Sequence, residues 1–225
     1  MTERSSIFDM IGPVMIGPSS SHTAGVVRIG RVARRVLGCQ PETAEITFYN
    51  SFATTYEGHG SDRAIIAGLL DYKTDDERIR DALTLATQAG LQYQFKAVGS
   101  ASKLHPNSIR VRMTGGGHTA EVLGVSRGGG LINIAEVDGF HSNFSAQLYT
   151  LIVTAQDVKG SIAFIATVVS NDESNIATMT VSRNAKNDTA KLILEMDSGL
   201  RATTLAYLQS MSWIRHVVVI PDIDL

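Results

Sequence analysis

From residue 148 onward the sequence has its most regular pattern, and this pattern restricts the possible fold. Segments that alternate with period two are separated by stretches with helical spacing of apolar residues. The expected elements are strands at 148–154, 176–183, 190–196 and 214–220, and helices at 160–169 and 203–211. The order strand, helix, strand, strand, helix, strand is the ferredoxin-like plan. We therefore expect an α+β fold in which these elements form a separate C-terminal domain.

The first half of the chain has a different texture, richer in Gly and His, which predicts two domains, 1–143 and 147–225. Apolar residues recur at helical spacing from Val26 to Leu37, and Gly38 is placed to end that helix. Other helices are expected after Asp62 and at 75–89, a Gly-containing loop at 51–61, and strands at 45–49, 93–97, 109–114, 119–125 and 131–137.

Two runs of three glycines, 115–117 and 128–130, lie between expected strands. Glycine tolerates positive φ, so hairpin or bulge connections explain both runs. A cradle for a nucleotide phosphate is the alternative, but neither run fits G-x-G-x-x-G or a P-loop pattern. The sequence therefore favours hairpins.

Charge and cysteine content exclude several classes of function. Twenty Lys and Arg against 22 Asp and Glu give a net charge of −2, which offers no electrostatic case for nucleic acid or an anionic membrane. No apolar run approaches the roughly 18 residues of a membrane span, and the first residues lack a secretory signal, so we expect a cytoplasmic protein. Cys39 is the only cysteine, which excludes an intrachain disulfide and a Cys-rich metal site in this chain.

A run of three serines marks the first candidate site. Ser19, Ser20 and Ser21 precede His22 and Thr23 at the entry to a helix. Hydroxyls and N–H groups at the positive end of a helix suit a carboxylate or phosphate, although a simple N-cap would use one of these serines. His22 adds a group that can move a proton near neutral pH.

The second candidate is the segment Gly58-His-Gly-Ser-Asp62. A histidine between two glycines has little local packing, which favours a working loop over an exposed turn. Asp62 suits either a helix cap or a partner for a catalytic group. His105-Pro-Asn107 is expected to be a structural turn, and His216 a strand side chain rather than a catalyst.

These two motifs, together with His105-Pro-Asn-Ser, resemble the β chain of the bacterial iron–sulfur-dependent L-serine dehydratase over essentially the whole chain. Ser61 stands where that family more often has Thr, and it keeps the hydroxyl. The resemblance implies an N-terminal α+β domain like the allosteric-substrate-binding domains, followed by an ACT domain. The first half also resembles, more weakly, the extra regulatory domain of some phosphoglycerate dehydrogenases.

The family converts L-serine to pyruvate and ammonia without PLP. The resemblance implies that a cysteine-bearing α chain holds a [4Fe–4S] cluster, that no metal is held by this chain, and that this chain is inactive alone. It also implies that His59 removes the α-proton and His22 polarises or positions the substrate, two roles that could be exchanged. The residues expected near the substrate carboxylate are Ser19, Ser20, Ser21 and Thr23.

The ACT resemblance implies a site for a small amino acid where two copies meet. Its expected ligand region is Asp157, Gly160, Ser161 and Asn175. Many ACT domains only dimerise, so regulation by serine and simple self-association both remain open. A non-catalytic amino-acid-sensing or assembly module of a serine-metabolism enzyme is the alternative to a lyase subunit.

Overall fold

A computed structural model describes residues 13–223, which fall into two compact units divided between Asp138 and Gly139. Each unit combines helices with a β-sheet. The chain is therefore a mixed α and β protein, which is consistent with the α+β class expected from the sequence. Within the described residues, no helix is both long and apolar enough to cross a bilayer.

The first unit is a sheet with helices. Its helices are α1 (Gly25–Leu37), α2 (Ser51–Thr55), α3 (Ser61–Leu69) and α4 (Ala82–Gln88), with a π-helical turn at Ser20–Ala24 and a 3₁₀ helix at Glu77–Asp81. Its strands are β1 (Thr43–Tyr49), β2 (Gln92–Val98), β3 (Ser108–Gly115), β4 (His118–Gly128) and β5 (Leu131–Val137). They lie in the order β2-β1-β3-β4-β5, and only the β1–β2 pair is parallel.

Helix α1 lies close to both the sheet and α3 because glycines face it. A Cβ at Gly124 on β4 would lie 2.6 Å from Cγ2 of Ile29. A Cβ at Gly68 on α3 would lie 2.8 Å from Cα of Gly30. Both distances are shorter than real Cβ contacts, so a larger residue at either glycine would force backbone or packed side chains to shift. The glycines thus set where α1 and α3 lie.

Most elements of the first unit are confirmed. Helix α1 ends at Gly38, which has φ 84°, and both glycine runs connect antiparallel strands. The loop expected at 51–61 is wrong in its first part, because Ser51–Thr55 form α2. Phe52 is fully buried there and anchors the short helix. The helix expected at 75–89 is a 3₁₀ helix at Glu77–Asp81 followed by α4.

The second unit has the strand and helix order that the sequence predicts. Its elements are β6 (Phe140–Phe144), β7 (Tyr149–Gln156), α5 (Ser161–Asn171), β8 (Ile176–Arg183), β9 (Thr189–Met196), α6 (Ala202–Gln209) and β10 (Ile214–Ile220). Four of the strands form an antiparallel sheet in the order β10-β7-β9-β8. The sequence did not predict β6, a five-residue strand whose residues alternate between buried and exposed.

Helices α5 and α6 bury their apolar residues with those of the sheet. Ile165 and Val169 of α5 and Leu208 of α6 share one core with Leu151 and Leu192 of the strands. All five are at most 1% exposed. The second unit therefore has its own hydrophobic core, which is the usual requirement for a domain.

Candidate active site

His22 lies in the π-helical turn that leads into α1, and neighbouring serines hold its ring. The hydroxyl of Ser19 accepts a hydrogen bond from the backbone N–H of His22 at 3.2 Å. The ring Nδ1 lies 3.3 Å from Ser19 Oγ and 3.0 Å from Ser21 Oγ. Two of the three serines thus orient the imidazole, in addition to the N-cap that Ser19 supplies.

His59 follows α2 and precedes Gly60, which has φ 71°. The carbonyl of Thr55 accepts a bond from the backbone N–H of His59 at 3.1 Å, and His59 Nδ1 lies 3.2 Å from the same oxygen. A carbonyl oxygen can only accept, so Nδ1 carries the proton in this bond. The neutral ring then has its lone pair on Nε2, which is the atom that can take up a proton.

The structure brings the two histidines together. Their ring centroids lie 4.7 Å apart with the planes tilted by 36°. Phe52 contacts the ring of His22 edge-on at a centroid distance of 4.8 Å. Two hydroxyls also connect the segments, since Ser61 donates to the carbonyl of His22 at 2.7 Å and Thr23 donates to that of His59 at 3.4 Å.

The two rings differ in their surroundings. His22 is half-buried, whereas His59 is exposed. Burial lowers the pKa of His22 below its ordinary value of 6.5, and the neighbouring His59 lowers it further. Nε2 of His22 is buried and makes no hydrogen bond with any described residue. The pair therefore combines a half-buried ring whose pKa is lowered with an exposed ring whose Nε2 carries the lone pair.

A cavity of about 420 Å³ lies beside His59. Thr23, Glu57, Arg63 and Arg80 line it together with this histidine. Arg63 comes from the first turn of α3, and Arg80 from the 3₁₀ helix. Two guanidinium groups beside a histidine give the cavity the chemistry to hold a small carboxylate.

The sequence missed both arginines. Arg63 directly follows the segment Gly58–Asp62, which contains His59, so its place in the chain could have suggested a role. No sequence pattern pointed to Arg80, because only the folding of the chain brings it to the cavity. Asp62, which precedes Arg63, accepts a hydrogen bond from the N–H of Arg63 at 2.8 Å. Burial raises the pKa of Asp62, while Arg63 acts in the opposite direction.

The residues expected to bind a ligand in the second unit do not form one cluster within the chain. Asp157, Gly160 and Ser161 follow the end of β7, where Asp157 binds Arg183 at 2.9 Å. Asn175 precedes β8, and the start of β8 pairs with the end of β9, whereas the end of β7 pairs with the start of β9. Asn175 therefore lies at the opposite end of the sheet from Asp157. The Asn175 amide donates to Asp197 at 3.1 Å.

Residues that could hold a metal are sparse. Among residues 13–223, no group of three or more His, Cys, Asp or Glu side chains is arranged to hold an ion. Cys39 is a half-buried free thiol beside the Gly115–Gly117 turn. A cluster that needs several thiolates does not fit this chain, since Cys39 is its only cysteine.

Residues 6–137 match the family model described as serine dehydratase beta chain. The chain is 42% identical over 217 residues to the probable L-serine dehydratase beta chain of Bacillus subtilis, covering 96% of this chain and 98% of the relative. It is 34% identical to the L-serine dehydratase beta chain of Peptoniphilus asaccharolyticus, covering 87% and 88%. D-3-phosphoglycerate dehydrogenase of Bacillus subtilis is 24% identical over 85% of this chain and 37% of the relative. The chain belongs to the serine dehydratase beta chain family.

Proposed function

We propose that the chain is the β subunit of an L-serine dehydratase, a lyase that converts L-serine to pyruvate and ammonia. The observation that carries the proposal is the His22–His59 pair beside a cavity with two arginines, in a chain of this family. The names of its relatives support the same reaction and imply a separate α chain.

The reaction removes a proton from Cα of serine and hydroxide from Cβ. The resulting aminoacrylate tautomerises to an imine, and water releases ammonia and pyruvate. We assign the removal of the α-proton to Nε2 of His59, because its Nδ1 is already bonded to Thr55. His22 polarises or positions the substrate from its half-buried place. A reversal of the two roles is the alternative within this proposal.

The substrate carboxylate is proposed to bind beside the segment Ser19–Thr23. Thr23 lines the cavity, and Ser20 lies in the same turn as His22. Ser19 and Ser21 act through His22, whose ring their hydroxyls contact. Arg63 and Arg80 supply the positive charge that a carboxylate needs.

The [4Fe–4S] cluster is proposed to be ligated by the cysteines of the α chain, because this chain contributes one thiol. Bound there, the cluster would act as a Lewis acid for the departing hydroxyl. We propose that the active site forms where the two chains meet, and that this chain alone releases no pyruvate.

For the architecture, we propose a β-chain domain over 1–143 and an ACT domain over 147–225. The order of elements and the strand order of the second sheet support the ferredoxin-like plan of an ACT domain. Self-association through this domain and binding of an amino acid near Asp157, Gly160, Ser161 and Asn175 remain predictions, as does a cytoplasmic location. Calorimetry of the folded chain with millimolar L-serine tests the ligand, and the absence of heat would favour a scaffold.

One comparison favours a second candidate. The D-3-phosphoglycerate dehydrogenase relative matches 85% of this chain with only 37% of its own length. A module shared with an enzyme of different name could sense an amino acid or assist assembly without catalysis. The two histidines favour the lyase, because a sensor has no need for two proton-moving side chains in contact.

Anaerobic co-expression with the cysteine-bearing chain tests the proposal. Pyruvate release from L-serine and cluster absorbance are measured for each chain alone and for the pair. We expect release from the pair only. A folded pair that carries the cluster and releases no pyruvate would overturn the lyase in favour of the sensor, and turnover by this chain alone would overturn the division of labour.

A further inference from the structure

Asn50 occupies an unusual backbone position between β1 and α2. Its φ and ψ are 51° and −118°, a region that favours glycine. Its side chain bonds to the loop after β2. Oδ1 accepts from the N–H of Ala101 at 2.7 Å, and Nδ2 lies 3.2 Å and 3.1 Å from the carbonyls of Ala101 and Leu104 and 3.4 Å from that of His105. One side-chain amide thus bonds to backbone groups of a loop that has no helix or strand of its own to satisfy them.

The next two carbonyls of the same loop accept hydrogen bonds from two different segments of the chain. Pro106 accepts a bond from the N–H of Ser51 at 3.1 Å, and Asn107 accepts one from the N–H of Ser126 at 3.0 Å. The loop is closed on itself by the ring Nδ1 of His105, which accepts from the N–H of Asn107 at 3.1 Å. This loop therefore bonds to the backbone of both Ser51 and Ser126.

Hydrogen bonds connect Ser51 to His59. Ser51 is the first residue of α2, and its carbonyl accepts the hydroxyl of Thr55 at 2.8 Å. The carbonyl of Thr55 in turn holds the N–H and Nδ1 of His59. The orientation of the His59 ring thus depends on how α2 starts.

A hydrogen bond connects Ser126 to the residue that precedes His22. Ser126 is fully buried, and its hydroxyl donates to the carbonyl of Ser21 at 2.8 Å. A Cβ at Gly25 would lie 2.4 Å from this hydroxyl, so α1 has little freedom to move against it. Both histidines are therefore tied to adjacent carbonyls of one loop, and Asn50 holds that loop.

We propose that Asn50 is a positioning residue of the active site, which sets the His22–His59 distance through the loop 101–107. The inference rests on the proposed function for its effect on turnover, but its effect on the rings is independent of activity. A misplacement of about 1 Å at a reacting group can lower turnover on the order of a hundredfold. Loss of the Asn50 side chain therefore lowers kcat more than it changes KM.

The variants Asn50→Gly and Asn50→Asp test this role. Glycine adopts the positive φ without strain and removes the whole amide, so the backbone of the turn is kept. Aspartate keeps the acceptor for Ala101 but loses the donor to the three carbonyls. Asn187→Gly is the matched control, because Asn187 also has positive φ, at 62°, and lies in the second unit.

Two readouts are compared, with unfolding by urea as a check that each variant folds. The first is the ¹⁵N NMR signature of the His59 ring in the full chain, which reports whether Nδ1 carries the proton. The second is kcat and KM of the enzyme assembled with the cysteine-bearing chain. For Asn50→Gly we expect tautomer averaging and a kcat lower by roughly tenfold to a hundredfold, with Asn50→Asp between it and native.

A folded Asn50→Gly chain that keeps the native ring signature overturns the proposal, whatever its turnover. An equal effect of Asn187→Gly overturns it as well. If the ring signature is lost and kcat stays native, Asn50 still positions the ring, and the assignment of His59 as the base fails instead. The two failures are thus distinguished by the two measurements.

Discussion

His22 and His59 hold their rings 4.7 Å apart between centroids, yet only His22 is half-buried. Two imidazolium groups at that distance repel each other, and burial penalises the charge of His22 further. The arrangement therefore separates the two rings by environment, although their residue type is the same. This separation underlies the first three predictions.

Replacement of His59 by glutamine is expected to abolish most turnover. Glutamine keeps a polar side chain at the cavity but cannot take up a proton. General base catalysis contributes roughly 10² to 10⁴-fold, so kcat should fall within that range while assembly is unchanged. Steady-state pyruvate release by the reconstituted enzyme measures the effect.

The control for this variant is His141→Gln, the same substitution at an exposed histidine of the second unit. It should leave kcat within twofold of native. A His59→Gln enzyme with turnover equal to that control would eliminate His59 as the base and transfer the role to His22.

The pKa of His22 should rise when His59 is replaced by glutamine. His59 is one of two causes that lower this pKa, and the larger cause, burial, remains in the variant. We therefore expect a value above that of the native chain but still below the ordinary 6.5. NMR titration of the ring protons measures it. An unchanged or lower value would show that the two rings do not interact electrostatically.

The stability of the chain should depend on pH through His22. Because its folded-state pKa is lowered, the unfolded chain binds more protons once the pH falls below about 6.5. The contribution to the free energy of unfolding is therefore full above that pH and is lost as the pH falls through the folded-state pKa. Urea unfolding at several pH values should give a flatter profile for His22→Gln than for the native chain, and parallel profiles would contradict the assignment.

The sequence predicted the elements better than the contacts between them. Apolar spacing is local, so α1, the strands and the glycine hairpins could be read from it. Helix α2 could not be predicted in this way, because the burial of Phe52 stabilises its five residues and their helix propensity does not. The contact of Ser19 and Ser21 with the His22 ring depends on the π-helical turn, which no sequence pattern indicated. Contacts between distant segments, such as Arg80 with the cavity, require the fold itself.

The crossing of α1 and α3 is expected to tolerate no side chain at Gly68. A Cβ there would lie 2.2 Å from the carbonyl oxygen of Val27, a backbone atom that cannot rotate away. Alanine gains about 1 kcal/mol of helix propensity over glycine, but overpacking of this kind costs roughly 1–3 kcal/mol or more. We expect Gly68→Ala to have a net lower free energy of unfolding, measured by urea denaturation. Gly99→Ala is the control, because open space surrounds that position, and an equal effect of both substitutions would contradict the packing argument.

Arg80 is expected to contribute to substrate binding rather than to the chemical step. It lines the cavity beside His59, and a hydrogen bond to a charged group contributes about 1.5–3 kcal/mol. Arg80→Gln should therefore raise the KM for L-serine roughly tenfold or more, with kcat within a few-fold of native. Arg78→Gln is the matched control in the same 3₁₀ helix, where Arg78 binds Asp76 at 2.9 Å instead of lining the cavity. A loss of kcat at constant KM in Arg80→Gln would place this arginine in the chemistry of the reaction, and equal KM values for the two variants would remove it from the carboxylate site.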